Sequence, residues 1–188
     1  MPLIVKDNST EYELAPEGTH IARCYQVIDL GLQQTSFGEK PKVLINFELP
    51  MKLMADGRPF SVGNRYTPSL NKKAILRQHL EAWRGRSFTE EELDGFDLYT
   101  VCGVPAMITV VHTENNDRRY ANIVGIAKLP AEVSCPDAIN PMIRFSTQDY
   151  TQQQYDALPD WMHNVIKFPQ KNLESKPELS MPDEDIPF

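Results

Sequence analysis

Cysteine, histidine and long apolar runs are scarce in this 188-residue chain, and each scarcity excludes a class of protein. The three cysteines and four histidines are scattered, without the close spacing that holds a metal ion. No run of eighteen apolar residues occurs, and the apolar patch near the N-terminus is too short for a signal peptide. We therefore expect reduced thiols, no metal, no cofactor, no membrane contact and a cytoplasmic protein.

Glycine is also sparse, with 9 residues against 15 prolines, so long uninterrupted helices are not expected. Hydrophobic residues at 41% and charged residues at 24% are typical of a globular protein. The length suits one domain of about 100–150 residues with tails. We expect residues 1–18 to be an N-terminal arm, 19–130 the main domain, 131–168 an extension packed on it, and 169–188 a disordered linker and acidic tip.

Strand patterns dominate the main domain. The clearest alternation covers 42–49, where Asn46 and Glu48 fall on the polar face and only Leu44 breaks the pattern. An Asp-Gly turn signal at Asp56-Gly57 precedes the next strand. The five predicted strands cover residues 20–30, 42–49, 59–67, 101–112 and 120–128.

A helix is predicted between the third and fourth strands. Leu76, Leu80 and Trp83 recur at helical spacing, with Asn71 as the expected cap and Gly85 as the stop. Five strands with a helix in this position are the arrangement of an OB-fold, a five-stranded, partly open Greek-key barrel that binds oligonucleotides. The predicted class is therefore mainly β with minor α, and a sandwich with extra helices is the alternative.

Further short helices are predicted outside this barrel. Thr89 and Glu92 form a capping box for one of them. Residues 150–168 suggest one or two more, which could dock on the barrel through Tyr155, Leu158, Trp161 and Ile166.

Charge is distributed unevenly along the chain. The net charge is −7, yet residues 58–86 contain seven cations against the single acid Glu81. Residues 171–188, in contrast, hold two lysines and five acids. A local basic region can contact nucleic-acid phosphates, but it can equally be an ordinary solvated surface.

The OB arrangement predicts where a ligand would lie, across strands two and three and between the loops joining strands 1–2 and 4–5. Single-stranded nucleic acid requires cations for its phosphates and aromatic faces for its bases. The candidate DNA-binding residues are Phe37, Lys40, Lys42, Arg58, Phe60, Arg65, Tyr66, Lys72, Lys73, Arg77, Arg84, Arg86, Arg118, Arg119 and Tyr120. Phe60 and Tyr66 share one face of their strand, opposite to Arg65, so the ligand meets either the aromatics or the arginine.

Structural explanations compete with some of these assignments. Trp83 lies on the apolar stripe of its helix, which favours a place in the core over contact with a base. Arg118 and Arg119 could instead form ion pairs with Asp117 or Glu114 across their own turn.

The sequence ends with three acids followed by Ile-Pro-Phe. The segment DEDIPF resembles the acidic C-terminal tip of bacterial single-stranded DNA-binding proteins, and the body is similar in style to phage-encoded replication and recombination proteins. The resemblance implies a non-catalytic OB-fold protein that coats single-stranded DNA and recruits replication, recombination and repair proteins of host or phage. The implied partner-binding residues are Asp183, Glu184, Asp185, Ile186, Pro187 and Phe188.

Two other functions remain as alternatives at this stage. A DNA-processing nuclease, or a subunit of one, would need carboxylates clustered at the edge of the core. An adaptor or decoy would display the tip to host proteins without binding DNA. A homodimer is also possible, because a partly open barrel has exposed edge strands.

Overall fold

The computed structural model describes residues 13–169, in which six strands and four short α-helices alternate with loops. The strands are β1 (Gly18–Thr35), β2 (Gly38–Leu53), β3 (Pro59–Tyr66), β4 (Pro105–Asn115), β5 (Arg118–Ala127) and β6 (Ile143–Phe145). The helices are α1 (Ile75–Arg84), α2 (Glu90–Asp94), α3 (Gln152–Asp156) and α4 (Asp160–Val165), and a 3₁₀ turn spans Leu98–Val101. Within these residues no helix is long and apolar enough to cross a membrane.

All six strands belong to one sheet, which confirms the mainly β prediction. The order is β3-β2-β1-β4-β5 with antiparallel neighbours, and β6 adds to β1 in parallel. β1 pairs with β4 up to Arg23 and with β2 from Arg23 onward. The register of β1 shifts near Gln26 and again near Gly31, and such bulges bend a strand.

The two ends of the sheet approach each other without forming a ladder. The Nδ2 atom of Asn64 on β3 donates to the carbonyl oxygen of Ile123 on β5 at 3.5 Å. No strand pairing joins β3 to β5 among the described residues, so the sheet is not closed.

Helix α1 covers the inner face of the sheet as its periodicity predicts. Leu76, Leu80 and Trp83 are all buried, and the Trp83 ring lies 5.1 Å from that of Phe47. Its indole nitrogen donates to the Pro105 carbonyl at 2.8 Å, so Trp83 is a core residue.

The predicted ends of the helices are partly correct. Gly85 ends α1 with φ at 70°, a left-handed conformation that glycine adopts at little cost, and Thr89 and Glu92 form the predicted capping box. The prediction that Asn71 caps α1 is wrong. The helix begins at Ile75, and the Asn71 side chain instead accepts from the Lys73 backbone in the preceding turn.

The outer face of β1 and β2 is also covered, by residues 131–168. A second apolar cluster forms there from Ile28, Leu30, Leu44, Phe145, Leu158, Met162 and Ile166. Leu44, which breaks the alternation of its strand, therefore has a packing role on the side that the pattern marks as polar. Residues 131–168 are thus held on the sheet by this apolar cluster, and polar contacts hold them as well.

Glu48 is the most deeply placed polar anchor of this covering segment. Its side chain is fully buried, and its carboxylate accepts from the backbone nitrogens of Ile139 and Asn140 at 2.7 and 2.9 Å. The Asn140 side chain donates a third hydrogen bond at 2.7 Å. Three N–H donors thus replace water around the buried carboxylate, which lies opposite Arg23 in the β1–β2 register but forms no direct ion pair within residues 13–169.

Two residues of β1 hold the covering segment at other points. The Arg23 guanidinium donates to the backbone carbonyls of residues 135 and 136. Asp29 accepts from the backbone and the hydroxyl of Thr147. The predicted tip, Asp183–Phe188, lies outside the described residues, as does most of the predicted N-terminal arm.

Candidate nucleic-acid interface

The pairing of β2 with β3 decides which side chains of β3 face outward. Tyr66 lies opposite Val43, and Phe60 lies opposite Leu49, so both aromatics point to the inner core. Arg65, opposite Leu44, is exposed on the outer face. Of these three side chains, the arginine is therefore the one on the outer surface of the sheet.

Tyr66 is thus not available to stack on a base. It is 3% exposed, and its hydroxyl shares a 2.8 Å hydrogen bond with Nδ1 of His79. Burial raises the pKa of Tyr66 to about 12. Phe60 is half-buried, packs against the inner core and presents only part of its side chain outward.

Three cations form a strip along the outer face of β2 and β3, which we call the basic strip: Lys40, Lys42 and Arg65. Lys42 donates to the hydroxyl of Thr67 at 2.8 Å, which places it diagonally across from Arg65. Diagonal neighbours on one face are about 7–8 Å apart, within reach of long side chains. Lys40 follows on the same face by the two-residue period of β2, and within residues 13–169 none of the three forms an ion pair.

A groove of about 500 Å³ lies beside this strip, between the outer face of β1–β3 and helix α4. Its walls include Tyr25 and Ser61, whose hydroxyls share a 2.7 Å hydrogen bond, and Trp161, which is 47% exposed. Arg58 lines it at one end and pairs with Asp56 at 2.7 Å. The groove thus combines hydroxyl, amide and aromatic groups.

The floor of the groove depends on a close approach between β2 and β3. The Asn46 amide donates to the Gln26 side chain at 2.7 Å and lies directly over Gly63. A Cβ atom on Gly63 would lie 1.8 Å from the Asn46 side-chain oxygen, so only glycine leaves room for this amide. Gln26 and Asn46 are nearly buried, 5% and 8% exposed, which fixes their amides at the base of the groove.

Both predicted binding loops are the tips of β-hairpins. Phe37, at the tip between β1 and β2, is 88% exposed. Asn116 and Asp117 form the β4–β5 tip with positive φ angles of 50° and 60°, and Arg118, Arg119 and Tyr120 follow it. Within the described part of the chain neither arginine forms an ion pair, including with Asp117 or Glu114.

Three cations of the predicted set instead stabilise the helices. Arg77 pairs with Glu81 at 3.0 Å within α1. Arg84 and Arg86 both bind Glu92, which ties the end of α1 to α2. Hydrogen bonds from Arg86, from the Thr89 backbone and from Arg84 lower the pKa of Glu92 to about 2. These arginines have a structural role, and the two glutamates compensate two of their three positive charges.

The cations of residues 58–86 therefore fall into two groups, those that are exposed without an ion pair and those that pair with an acid. Lys72 and Lys73 are exposed on the loop before α1 and form no ion pair with any described acid. Together with Arg65 they remain available to phosphates, whereas most of the arginines do not.

Several residues of the groove are absent from the sequence-based candidates. Of the four side chains expected to dock, Leu158 and Ile166 are buried and Tyr155 is half-buried, but Trp161 is exposed at the groove. Nothing in the sequence pattern distinguishes Trp161 from its buried neighbour Met162. The pattern therefore could not tell a side chain that docks on the barrel from one that lines the groove.

Residues 13–169 contain no cluster of three or more His, Cys, Asp or Glu side chains placed to hold a metal ion. No model of a known protein family matches the chain, and no curated protein matches it.

Proposed function

We propose that the protein binds single-stranded DNA along the outer face of β2 and β3 and recruits replication, recombination and repair proteins through residues 183–188. The observation that carries the proposal is the basic strip beside a groove with aromatic walls. Single-stranded DNA requires this pairing of cations for phosphates with aromatic surfaces for bases.

The arrangement of the strands supports an OB-fold for the same region. β1 belongs to both halves of the sheet, α1 follows β3, and β3 lies beside β5 at the Asn64–Ile123 contact. An OB-fold is a five-stranded, partly open Greek-key barrel, and the approach of β3 to β5 is compatible with that arrangement. Ligands of OB-folds lie across strands two and three, where the basic strip runs.

The hairpin tips extend the proposed path. Phe37 is almost fully exposed, and no described aromatic ring packs against it. Arg118 and Arg119, which form no ion pair among the described residues, provide positive charge at the other tip. A strand that follows the outer face would meet an aromatic side chain at one loop and cations at the other.

The C-terminal residues 183–188 provide the second half of the proposal, the recruitment of partner proteins. Ile186 and Phe188 are apolar anchors for a small hydrophobic pocket on a partner, and the three acids before them speed encounter with a basic rim. This part depends on the resemblance of DEDIPF to the tip of bacterial single-stranded DNA-binding proteins.

A binding titration tests the DNA-binding claim. The anisotropy of a fluorescein-labelled oligo-dT and of a duplex of equal length is followed at several salt concentrations. We expect tighter binding of the single strand and an affinity that falls with salt, by a slope of about −0.7 per phosphate contact. The Lys40→Ala/Arg65→Ala variant should lower the slope by about 1.4, whereas Lys128→Ala, which removes an exposed charge beside α1, should leave it unchanged.

Other outcomes would contradict the proposal. Equal or tighter binding of the duplex would exclude a single-strand binder. No binding at all would favour the adaptor, and magnesium-dependent loss of the oligonucleotide would indicate a nuclease.

A further inference from the structure

We infer that the groove between α4 and β3 holds a nucleobase of the bound strand and that the Trp161 indole is its stacking surface. The inference rests on the proposed function and assigns a base-binding site to the covering segment, outside the strands of the sheet. Its support comes from the exposure of Trp161, the chemistry of the groove and the position of the basic strip.

The exposure of Trp161 has no structural explanation in its own helix. Leu158 and Met162, its apolar neighbours in the chain, are 3% and 1% exposed, whereas Trp161 is 47% exposed. Trp83 donates its indole N–H to a carbonyl in the core, but the Trp161 indole has no hydrogen-bond partner in residues 13–169. A large flat surface is therefore left at the mouth of the groove.

The groove suits a flat group with polar edges. Its volume of about 500 Å³ falls within the range of small-molecule sites, about 300–1,000 Å³. Its lining includes Trp161 and Met162 from α4, and Ser61 and Asn46 from the outer side of the sheet. A nucleobase stacks through its faces and forms hydrogen bonds through its edges, which matches this aromatic and polar lining.

The basic strip continues directly into the groove. Arg65 and Gly63 are alternate residues on the outer side of β3, about 7 Å apart along the strand. Phosphates bound along the strip would therefore bring an adjacent base to the groove. Lys40, Lys42 and Arg65 lie outside the groove lining, so charge and base contacts are spatially separated.

The charges around the groove favour a neutral base over an acidic peptide. Glu13 lines it directly, and Arg58, the cation at its edge, is already paired with Asp56. A carboxylate-rich segment would meet the Glu13 charge, whereas a neutral base would not.

Fluorine NMR tests the inference on the unchanged sequence. The protein contains two tryptophans, one buried and one exposed, so 5-fluorotryptophan labelling gives two signals. Trp161→Phe assigns the signal of Trp161 by its loss. On addition of oligo-dT, we expect that signal to shift and broaden while the Trp83 signal changes little.

Affinity measurements separate stacking from charge. Trp161→Ala should weaken oligo-dT binding by about 5- to 150-fold without changing the salt slope, because stacking releases no counterions. Trp161→Phe should stay within about threefold of wild type. Val124→Ala is the control, since it removes an exposed apolar side chain of β5, 56% exposed and outside the groove lining, and should bind normally.

The outcomes distinguish this inference from the proposed function. If oligo-dT binds but leaves the Trp161 signal and the affinity of Trp161→Ala unchanged, the base-binding site is wrong and the DNA-binding function stands. If no oligo-dT binds, both are wrong. A Trp161 shift with the peptide DEDIPF but none with oligo-dT would assign the groove to a peptide instead.

Discussion

Replacing Glu48 by alanine should loosen the segment that covers the outer face of the sheet. The carboxylate accepts three hydrogen bonds from residues 139 and 140, and bonds to a charged group contribute about 1.5–3 kcal/mol each. The full sum overstates the loss, because Ile139 is 54% exposed and the freed donors can reach water. We expect the free energy of unfolding to fall by about 3 kcal/mol, equivalent to a melting temperature roughly 6–12 °C lower.

Urea denaturation and limited proteolysis measure this effect together. Glu48→Ala should unfold at lower urea and be cut faster between residues 131 and 168, while Glu48→Gln, which keeps one carbonyl acceptor, should fall between it and wild type. Glu39→Ala removes an exposed acid from the same strand and should stay within about 0.5 kcal/mol of wild type. A loss below about 1 kcal/mol in Glu48→Ala would refute the reasoning that these bonds hold the segment.

Two further predictions concern charge and the hairpin tip. The pKa of Glu92 is lower in the folded protein, about 2, than its ordinary value of 4.5, so its ionised form stabilises the fold above about pH 4.5 and this contribution is lost as the pH falls toward 2. Melting temperatures measured across this range should therefore fall less steeply with acid in Glu92→Gln than in wild type. Phe37→Ala should leave the urea midpoint unchanged, because the ring is 88% exposed, but should weaken oligo-dT binding about fivefold or more in the anisotropy titration.

Matched measurements would contradict each of these two predictions. An acid dependence in Glu92→Gln equal to that of wild type would mean that its ion pairs with Arg84 and Arg86 do not stabilise the fold. A lower urea midpoint in Phe37→Ala would show that the ring packs against the protein in solution. Normal oligo-dT affinity in this variant would show that the β1–β2 hairpin tip does not contact the DNA. Phe37→Tyr, which keeps an aromatic face, is the control for stacking.

The alternation of β2 predicted its strand and its two faces correctly, but not what covers them. Asn46 and Glu48 have the spacing of solvent-facing residues, yet both are buried by a segment far along the chain. Glu48 and Asn140 are 92 positions apart, and no local pattern indicates such a contact. Leu44, the one apolar residue on the polar side, was the single local sign of a covered face.

The basic stretch 58–86 illustrates a second limit of sequence reasoning. Counting charges within 58–86 leaves out two acids just outside the stretch: Asp56, two residues before Arg58, and Glu92, six residues after Arg86. Both acids form ion pairs with arginines inside the stretch. Arg65, in contrast, has no nearby acid on its strand, and the pairing of β3 with β2 leaves it exposed. Sequence charge predicted a basic surface, while strand register determined which cations form it.

Photo-crosslinking tests the central claim most directly, because it maps where the strand lies on the protein. An oligonucleotide that carries 5-iodouracil is bound, irradiated and digested, and the attached residues are identified by mass spectrometry. We predict crosslinks at Trp161, on the outer face beside the basic strip, and at Phe37, at the hairpin tip next to Lys40. Crosslinks confined to exposed residues away from that face, such as Val104 or Val124, would contradict it.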